Sequence, residues 1–278
     1  MKLPSSSQSE TLSSSILTEN LSETSVHGHF ENCGESQGLL RLDFHVHLAR
    51  LPEPALICRE LHRRHIQSVL VACEPWEWEA CTPLFKEFPQ TLVPCIGIHP
   101  MIAEQDSLQG LEQLRSLLQK FPKAYVGECG LDKRFPGYAP EEVQEEIFIS
   151  QARLALEFNR PLMIHAVGDY RRILKILEDL GFPRSNAFPI FHRFGGDKEV
   201  VKRALRMNAL FSVHPDSFRK ASTQASLSAI PRENLRLETD ADENFPIQNP
   251  DKTAKTPGEI AQALIQSLQS VEEKLKSL

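Results

Sequence analysis

The sequence predicts a (β/α)8 barrel of the TIM type, and three observations carry that expectation. From residue 39 onward, eight short β-rich runs alternate with eight helical ones. The β-rich runs are too apolar to leave one face in water, as expected of parallel strands enclosed by helices. Polar residues collect at the C-terminal ends of many of these runs. A doubly wound open sheet would concentrate them at a single switch point.

The first strand is expected over 40–47 (LRLDFHVH), followed by a helix near 53–65; the second over 67–73 (QSVLVAC), followed by 75–87. The third covers 91–97 (TLVPCIG) and leads to 106–120, and the fourth covers 124–129 (AYVGEC) and leads to 140–159. In that fourth helix Val143, Ile147, Leu154 and Phe158 recur at helical spacing and predict one apolar stripe. Strands five to eight fall at 161–166 (PLMIHA), 188–192 (FPIFH), 209–213 (ALFSV) and 235–240 (LRLETD). Their helices fall near 169–181, 196–207, 217–228 and 257–277. The last opens with Thr256-Pro257-Gly258-Glu259, a capping box with proline at the first helical position, and carries Ile260, Leu264, Leu268, Val271 and Leu275 on one side.

Composition narrows the classes. At 278 residues and 41 % hydrophobic, the chain can bury a full core. Residues 1–38 hold ten serines and few large apolar residues, so they are expected to be a disordered tail, leaving 39–278 as one barrel domain. The pair His27 and His29 in that tail has no companion ligands and is not expected to bind metal. No apolar run approaches the roughly 20 residues of a membrane span, and the N-terminus lacks a hydrophobic signal core. Six cysteines, at 33, 58, 73, 81, 95 and 129, form no CxxC pair, and Cys95 and Cys129 lie inside strands, so a reducing cytoplasm is expected. The formal charge of −6 offers no general attraction to a polyanion; a nucleic acid would have to be held by a local basic patch or by metal. No repeat or heptad points to a protein partner.

The polar strand ends carry the chemistry. Asp43, His45 and His47 share one face of the first strand, because side chains alternate with period two. His99 follows the third strand, Glu128 ends the fourth with Asp132 just beyond, His165 ends the fifth, His192 the sixth and Asp240 the eighth. In a closed barrel these ends converge on one mouth. A single buried histidine is ordinarily a hydrogen-bonded core residue. Six ionisable groups at matching strand ends would instead need several separate hydrogen-bond solutions, each costing ~1–3 kcal/mol if imperfect. Four imidazoles (His45, His47, His165, His192) and two carboxylates (Glu128, Asp240) match a binuclear divalent-metal site with a bridging carboxylate.

These segments resemble the TatD family of metal-dependent hydrolases. The likeness runs in order through Asp43-Phe44-His45-Val46-His47, Gly97-Ile98-His99-Pro100, Val126-Gly127-Glu128-Cys129-Gly130-Leu131-Asp132, Pro161-Leu162-Met163-Ile164-His165, Phe191-His192-Arg193-Phe194-Gly195-Gly196 and Glu238-Thr239-Asp240. It implies that His45, His47 and Asp240 hold one metal, that Glu128 bridges, and that His165 and His192 hold a second. It implies further that His99 and Asp132 line the substrate side and act as catalytic residues with Asp240 and Glu128, and that two divalent ions (Mg, Mn or Zn) serve as cofactors. The activity it implies is phosphodiester hydrolysis, with DNA as the expected substrate and 3′–5′ exonucleolytic action as the expected mode. Asp43 is expected to orient His47 or a neighbour.

The chain departs from the family at three places. Val167 stands where an Arg usually follows the fifth-strand His, Asp242 stands where Pro is usual, and the late Asn-Pro pattern is echoed only by Asn249-Pro250. Lost arginine favours a second reading, hydrolysis of esters or amides; a third is a non-catalytic binding barrel. For a polyanionic substrate, a basic patch is available in Lys133, Arg134, Arg171, Arg172, Arg193, Arg219 and Lys220, with Phe135 and Tyr138 as candidates to stack a base.

Overall fold

In the computed structural model the described residues are 42–104, 107–134, 138–245 and 254–278. The expected tail, Phe135 and Asn249-Pro250 lie outside them.

Eight parallel strands stand in sequential order: β1 (Leu42–Val46), β2 (Gln67–Ala72), β3 (Leu92–Ile96), β4 (Tyr125–Asp132), β5 (Leu162–Val167), β6 (Pro189–Phe191), β7 (Leu210–Val213) and β8 (Leu235–Leu237). Past the ladder of β8, Asp240 N–H donates to His45 C=O and His47 N–H to Ala241 C=O, both at 2.9 Å, and so join the last strand to the first. The expected barrel is therefore the observed one.

Helices α1 (Pro54–Arg63), α2 (Pro75–Glu87), α3 (Ser107–Lys120), α4 (Glu141–Phe158), α5 (Tyr170–Leu180), α6 (Lys198–Leu205), α7 (Ala221–Leu227) and α8 (Pro257–Lys276) alternate with the strands. The seventh is shorter than expected, because a 3-10 turn at Pro215–Phe218 and an extended Lys220 precede it. Apolar residues such as Leu61, Leu118, Phe148, Leu177 and Leu264 pack with the strands in one hydrophobic cluster. Each such side chain contributes roughly 1.5–3 kcal/mol by leaving water. The capping box of α8 forms as expected: Thr256 Oγ1 accepts from Glu259 N–H, and Glu259 Oε2 accepts from Thr256 N–H.

The buried face of α4 corrects the expected stripe. Ile147 and Leu154 are buried, yet Gln144 and Gln151 are buried beside them. Gln151 Oε1 accepts from Ile98 N–H at 2.7 Å and its Nε2 donates to Ile98 C=O at 3.0 Å. Gln144 does the same for the N–H and C=O of Asp132. These amides hold the chain beside His99 and at Asp132, where ladder partners run out.

Candidate metal centre at the barrel mouth

Glu128 owes its position to the glycines around it. Gly127 and Gly130 adopt φ of 134° and 150°, and a Cβ on either would lie 2.4 Å from Met163 O or 2.0 Å from His165 O. Only glycine allows β4 to run this close to β5. The β4–β5 register shifts between Val126 and Cys129, an irregularity that redirects the side chain between them.

The six expected ligands meet. His45 Nε2 and His47 Nε2 lie 3.2 Å apart, with Asp240 Oδ1 at 3.5 and 3.8 Å from them. Glu128 Oε2 lies 3.3 Å from His45 Nε2 and 3.6 Å from His47 Nε2. Its other oxygen, Oε1, lies 2.6 Å from both His165 Nδ1 and His192 Nε2, which are themselves 3.2 Å apart. One carboxylate thus faces two nitrogen clusters with separate oxygens. Two nitrogens each about 2.1 Å from a shared ion would lie about 3.0–3.4 Å apart, so the spacing of both imidazole pairs fits a cation.

The far sides of the rings fit as well. Nδ1 of His45, His47 and His192 are buried without a hydrogen-bond partner, but Glu77 Oε1 stands 3.6 Å from His47 Nδ1 and Glu238 Oε1 3.8 Å from His192 Nδ1. For His47 and His192 these carboxylates favour the proton on Nδ1 and the Nε2 lone pair turned inward. For His165 the roles reverse, with Nε2 at 2.9 Å from Asp132 Oδ2 and Nδ1 facing Glu128.

His99 differs from these rings. Its Nδ1 accepts from Met101 N–H at 3.0 Å, so the neutral ring carries its proton on Nε2, 3.2 Å from His165 Nδ1 and 3.5 Å from Glu128 Oε1. Burial and the neighbouring His165 hold its pKa below the usual histidine value and keep it neutral. It is a donor aimed into the site, and its ring also groups with Glu128 and His165 closely enough to share an ion.

Asp43 serves neighbours of His47 rather than His47 itself. Its Oδ1 accepts from His45 N–H at 3.4 Å and from Thr239 N–H at 2.9 Å, and its Oδ2 from the Thr239 hydroxyl at 2.6 Å, fixing the backbone beside His45 and just before Asp240. Burial pushes its carboxyl up to about 7. The partner of His47 is Glu77, which sequence reasoning missed. Glu77 also accepts from Arg50 Nε at 2.7 Å and from Cys73 N–H at 2.8 Å. Cys73 lies close to His47 and Glu77, and Glu77 is tied to Arg50 and to the Cys73 N–H, so this acid supports His47 from behind.

Electrostatics follow the geometry. Burial opposes charge on every group, yet the surrounding imidazoles hold Glu128 and Asp240 well below the usual carboxylate range. Burial lowers His47, but contacts with Glu128 and Glu77 outweigh it and raise the ring to about 10; Asp132 and Glu128 likewise raise His165 to about 9. Burial pushes His192 down to about 4. The mouth above these groups is a cavity of about 480 Å³.

The basic patch divides. Arg134, Arg193, Arg219 and Lys220 line the cavity. Lys133 is bound to Glu141 and Asp169, and Arg172 to Glu145. Arg171 comes only within 4.0 Å of Asp197. Tyr138 and Val167 also line the cavity. Arg193 and Asp240 both have left-handed backbones, with φ of 44° and 48°, a conformation costing on the order of 1–3 kcal/mol in a non-glycine residue.

An eight-stranded parallel barrel with an imidazole and carboxylate centre at the C-terminal ends of its strands defines a metal-dependent hydrolase. Residues 42–277 match the family described as TatD related DNase, and the chain belongs to that family. It is 26 % identical over 201 residues to Deoxyribonuclease TATDN3 of Homo sapiens, covering 68 % of this chain and 70 % of that one. It is 32 % identical over 148 residues to the 3′-5′ ssDNA/RNA exonuclease TatD of Pantoea ananatis, covering 52 % and 56 %. The crystal structure of YJJV, a TatD homologue of Escherichia coli K12, shares the fold with a TM-score of 0.64 at 23 % identity, covering 84 % of this chain and 98 % of that one. Among the described residues no helix is long and apolar enough to cross a membrane.

Proposed function

We propose that the chain is a two-metal phosphodiesterase that cleaves DNA, with 3′–5′ exonucleolytic action as its mode. The observation that carries this reading is Glu128, whose two oxygens serve two separate imidazole pairs. His45, His47 and Asp240 would hold one ion, His165 and His192 the other, with Glu128 between them. Divalent ions such as Mg, Mn or Zn, bound there, supply a water of lowered pKa and neutralise charge on the phosphate.

The chain's own residues do the rest. Asp132 keeps the proton of His165 on Nε2, leaving Nδ1 to bind. Asp240 accepts the proton of the attacking water. His99, neutral with its proton on Nε2 and its ring at the cavity, donates a hydrogen bond toward the leaving oxygen, which then takes the proton that Asp240 holds. Arg134, Arg219 and Lys220 supply positive potential at the entrance. The nuclease names of the relatives support DNA as substrate. Cys58, Cys73, Cys81, Cys95 and Cys129 are free and buried, which supports a reducing compartment such as the cytoplasm.

The test is digestion of end-labelled single-stranded DNA by purified protein with Mg, Mn, Zn or chelator, beside a panel of small esters and amides. The expected result is metal-dependent shortening from the 3′ end that chelator abolishes. Turnover of esters or amides by metal-loaded protein that leaves DNA intact would replace this reading with the deacylase one.

A further inference from the structure

Arg193 is held in place by more of the fold than a surface cation needs. Its left-handed backbone presents its N–H to Glu238 Oε1, and the fully buried Glu238 accepts the Ser212 hydroxyl on its other oxygen. Its guanidinium bridges two acids, with Nη1 donating to Asp240 Oδ2 at 2.7 Å and Nη2 to Asp216 Oδ2. The side chain is nonetheless 45 % exposed and lines the cavity.

The two oxygens of Asp240 face opposite ways in this arrangement. Oδ1 looks to His45 and His47, and Oδ2 is bound by Arg193. A single carboxylate therefore separates the guanidinium from the imidazole cluster, so an oxyanion engaging that cluster meets Arg193 at once. The other arginines of the cavity are placed differently, Arg50 being bonded to Glu77 and Glu74 behind His47. Arg134 is bonded through Nε and Nη2 to the buried Asp132 behind His165, and Arg219 is 76 % exposed on the far side of Asp216. A planar fork of donors at this distance suits two oxygens of one phosphate.

We propose that Arg193 is the specificity-determining cation of the site: it receives the substrate phosphate, and Asp216 holds it across the mouth until that phosphate arrives. This rests on the phosphodiester reading and adds the residue that selects for it. Val167, on the neighbouring strand, lines the same cavity without charge, and Arg193 is the cavity cation bonded to Asp240.

The test is equilibrium binding of a fluorescent single-stranded oligonucleotide with phosphorothioate linkages, in Ca2+ and over a salt series, to wild type, Arg193→Gln, Arg193→Lys and Asp216→Asn. Arg193→Gln should bind about 10-fold more weakly, as expected for one lost charge-assisted hydrogen bond. Its log K against log salt should flatten by about 0.7, one phosphate's worth on a single strand. Arg193→Lys should recover the slope and part of the affinity, while Asp216→Asn should tighten binding by releasing one side of the fork. A brace that merely neutralises Asp240 and Asp216 predicts the reverse: an unchanged slope in Arg193→Gln and no gain in Asp216→Asn. Either result overturns the proposal. Because Asp216 also holds Arg219, the gain in Asp216→Asn must persist in an Arg219→Gln background, where its loss overturns the proposal even if Arg193→Gln fails to fold. If wild-type protein does not bind the oligonucleotide at all, the phosphodiester reading falls and this inference with it.

Discussion

Replacing Asp132 by asparagine tests the proposed second ion with almost no change of shape. Asp132 Oδ2 faces His165 Nε2 at 2.9 Å, while Oδ1 accepts from the N–H and Nε of Arg134 at 2.9 and 3.1 Å. Oδ2 also accepts from Arg134 Nη2 at 2.7 Å, but Oδ1 takes two Arg134 donors against that one. In the variant the amide oxygen therefore goes to the Oδ1 position and the NH2 group faces His165, with the Nη2 bond lost. A donor there requires a lone pair on Nε2 and drives the ring proton to Nδ1, the atom that must bind. Loss of a supporting partner usually lowers metal affinity 10–100-fold, or about 1.4–2.7 kcal/mol. The forced tautomer places Asp132→Asn at the upper end, about 100-fold, for the ion of His165 and His192. Asp132→Ala, which leaves the tautomer free, should lose only about 10-fold. Competition against a chromophoric chelator resolves the two sites, and the ion of His45, His47 and Asp240 should be held much as before. If Asp132→Asn binds both ions like wild type, or weakens the second no more than Asp132→Ala, the tautomer argument is refuted.

Glu128→Ala should lower hydrolysis at least about 1,000-fold, the several kcal/mol expected of a lost metal bridge, and reduce bound metal with an unchanged circular dichroism spectrum. Full activity or full metal content in that variant would remove Glu128 from the bridge. Proton release gives a second check, because contacts with carboxylates raise His47 to about 10 and His165 to about 9, above the ordinary histidine value. Both rings are protonated at pH 7 in the metal-free protein and must lose those protons to bind an ion, so apparent metal affinity should rise from pH 7 toward pH 9. Calorimetry in buffers of different ionisation enthalpy should count about two protons released at pH 7, and a flat profile with no release would contradict the assigned contacts.

The proposed ligands are legible in the sequence because each interrupts or closes an apolar strand, where a histidine or carboxylate has little other reason to stand. What lies behind them is much less so. Asp43 meets Thr239, 196 positions later, only because the last strand returns beside the first. Glu77 reaches His47 from a neighbouring helix, and its position there looks like an ordinary capping residue. Gln151 shows the difficulty most sharply. Beside Ile147 and Leu154 it looks like a break in an apolar stripe, and by that logic Gln151→Leu should improve the core. The structure predicts the opposite. Gln151 is already fully buried, so leucine removes little further surface from water, while the N–H and C=O of Ile98 both lose their amide partner. Each buried group left without a partner costs about 1–3 kcal/mol, giving a net loss of about 2–4 kcal/mol after the better transfer energy of leucine is allowed for. Urea unfolding should show this as a lower midpoint with an unchanged slope. Because Ile98 directly precedes His99, metal-supported activity should fall along with stability. A Gln151→Leu protein as stable as wild type would mean that Ile98 finds other partners, and that the stripe, not the amide, holds this end of β3.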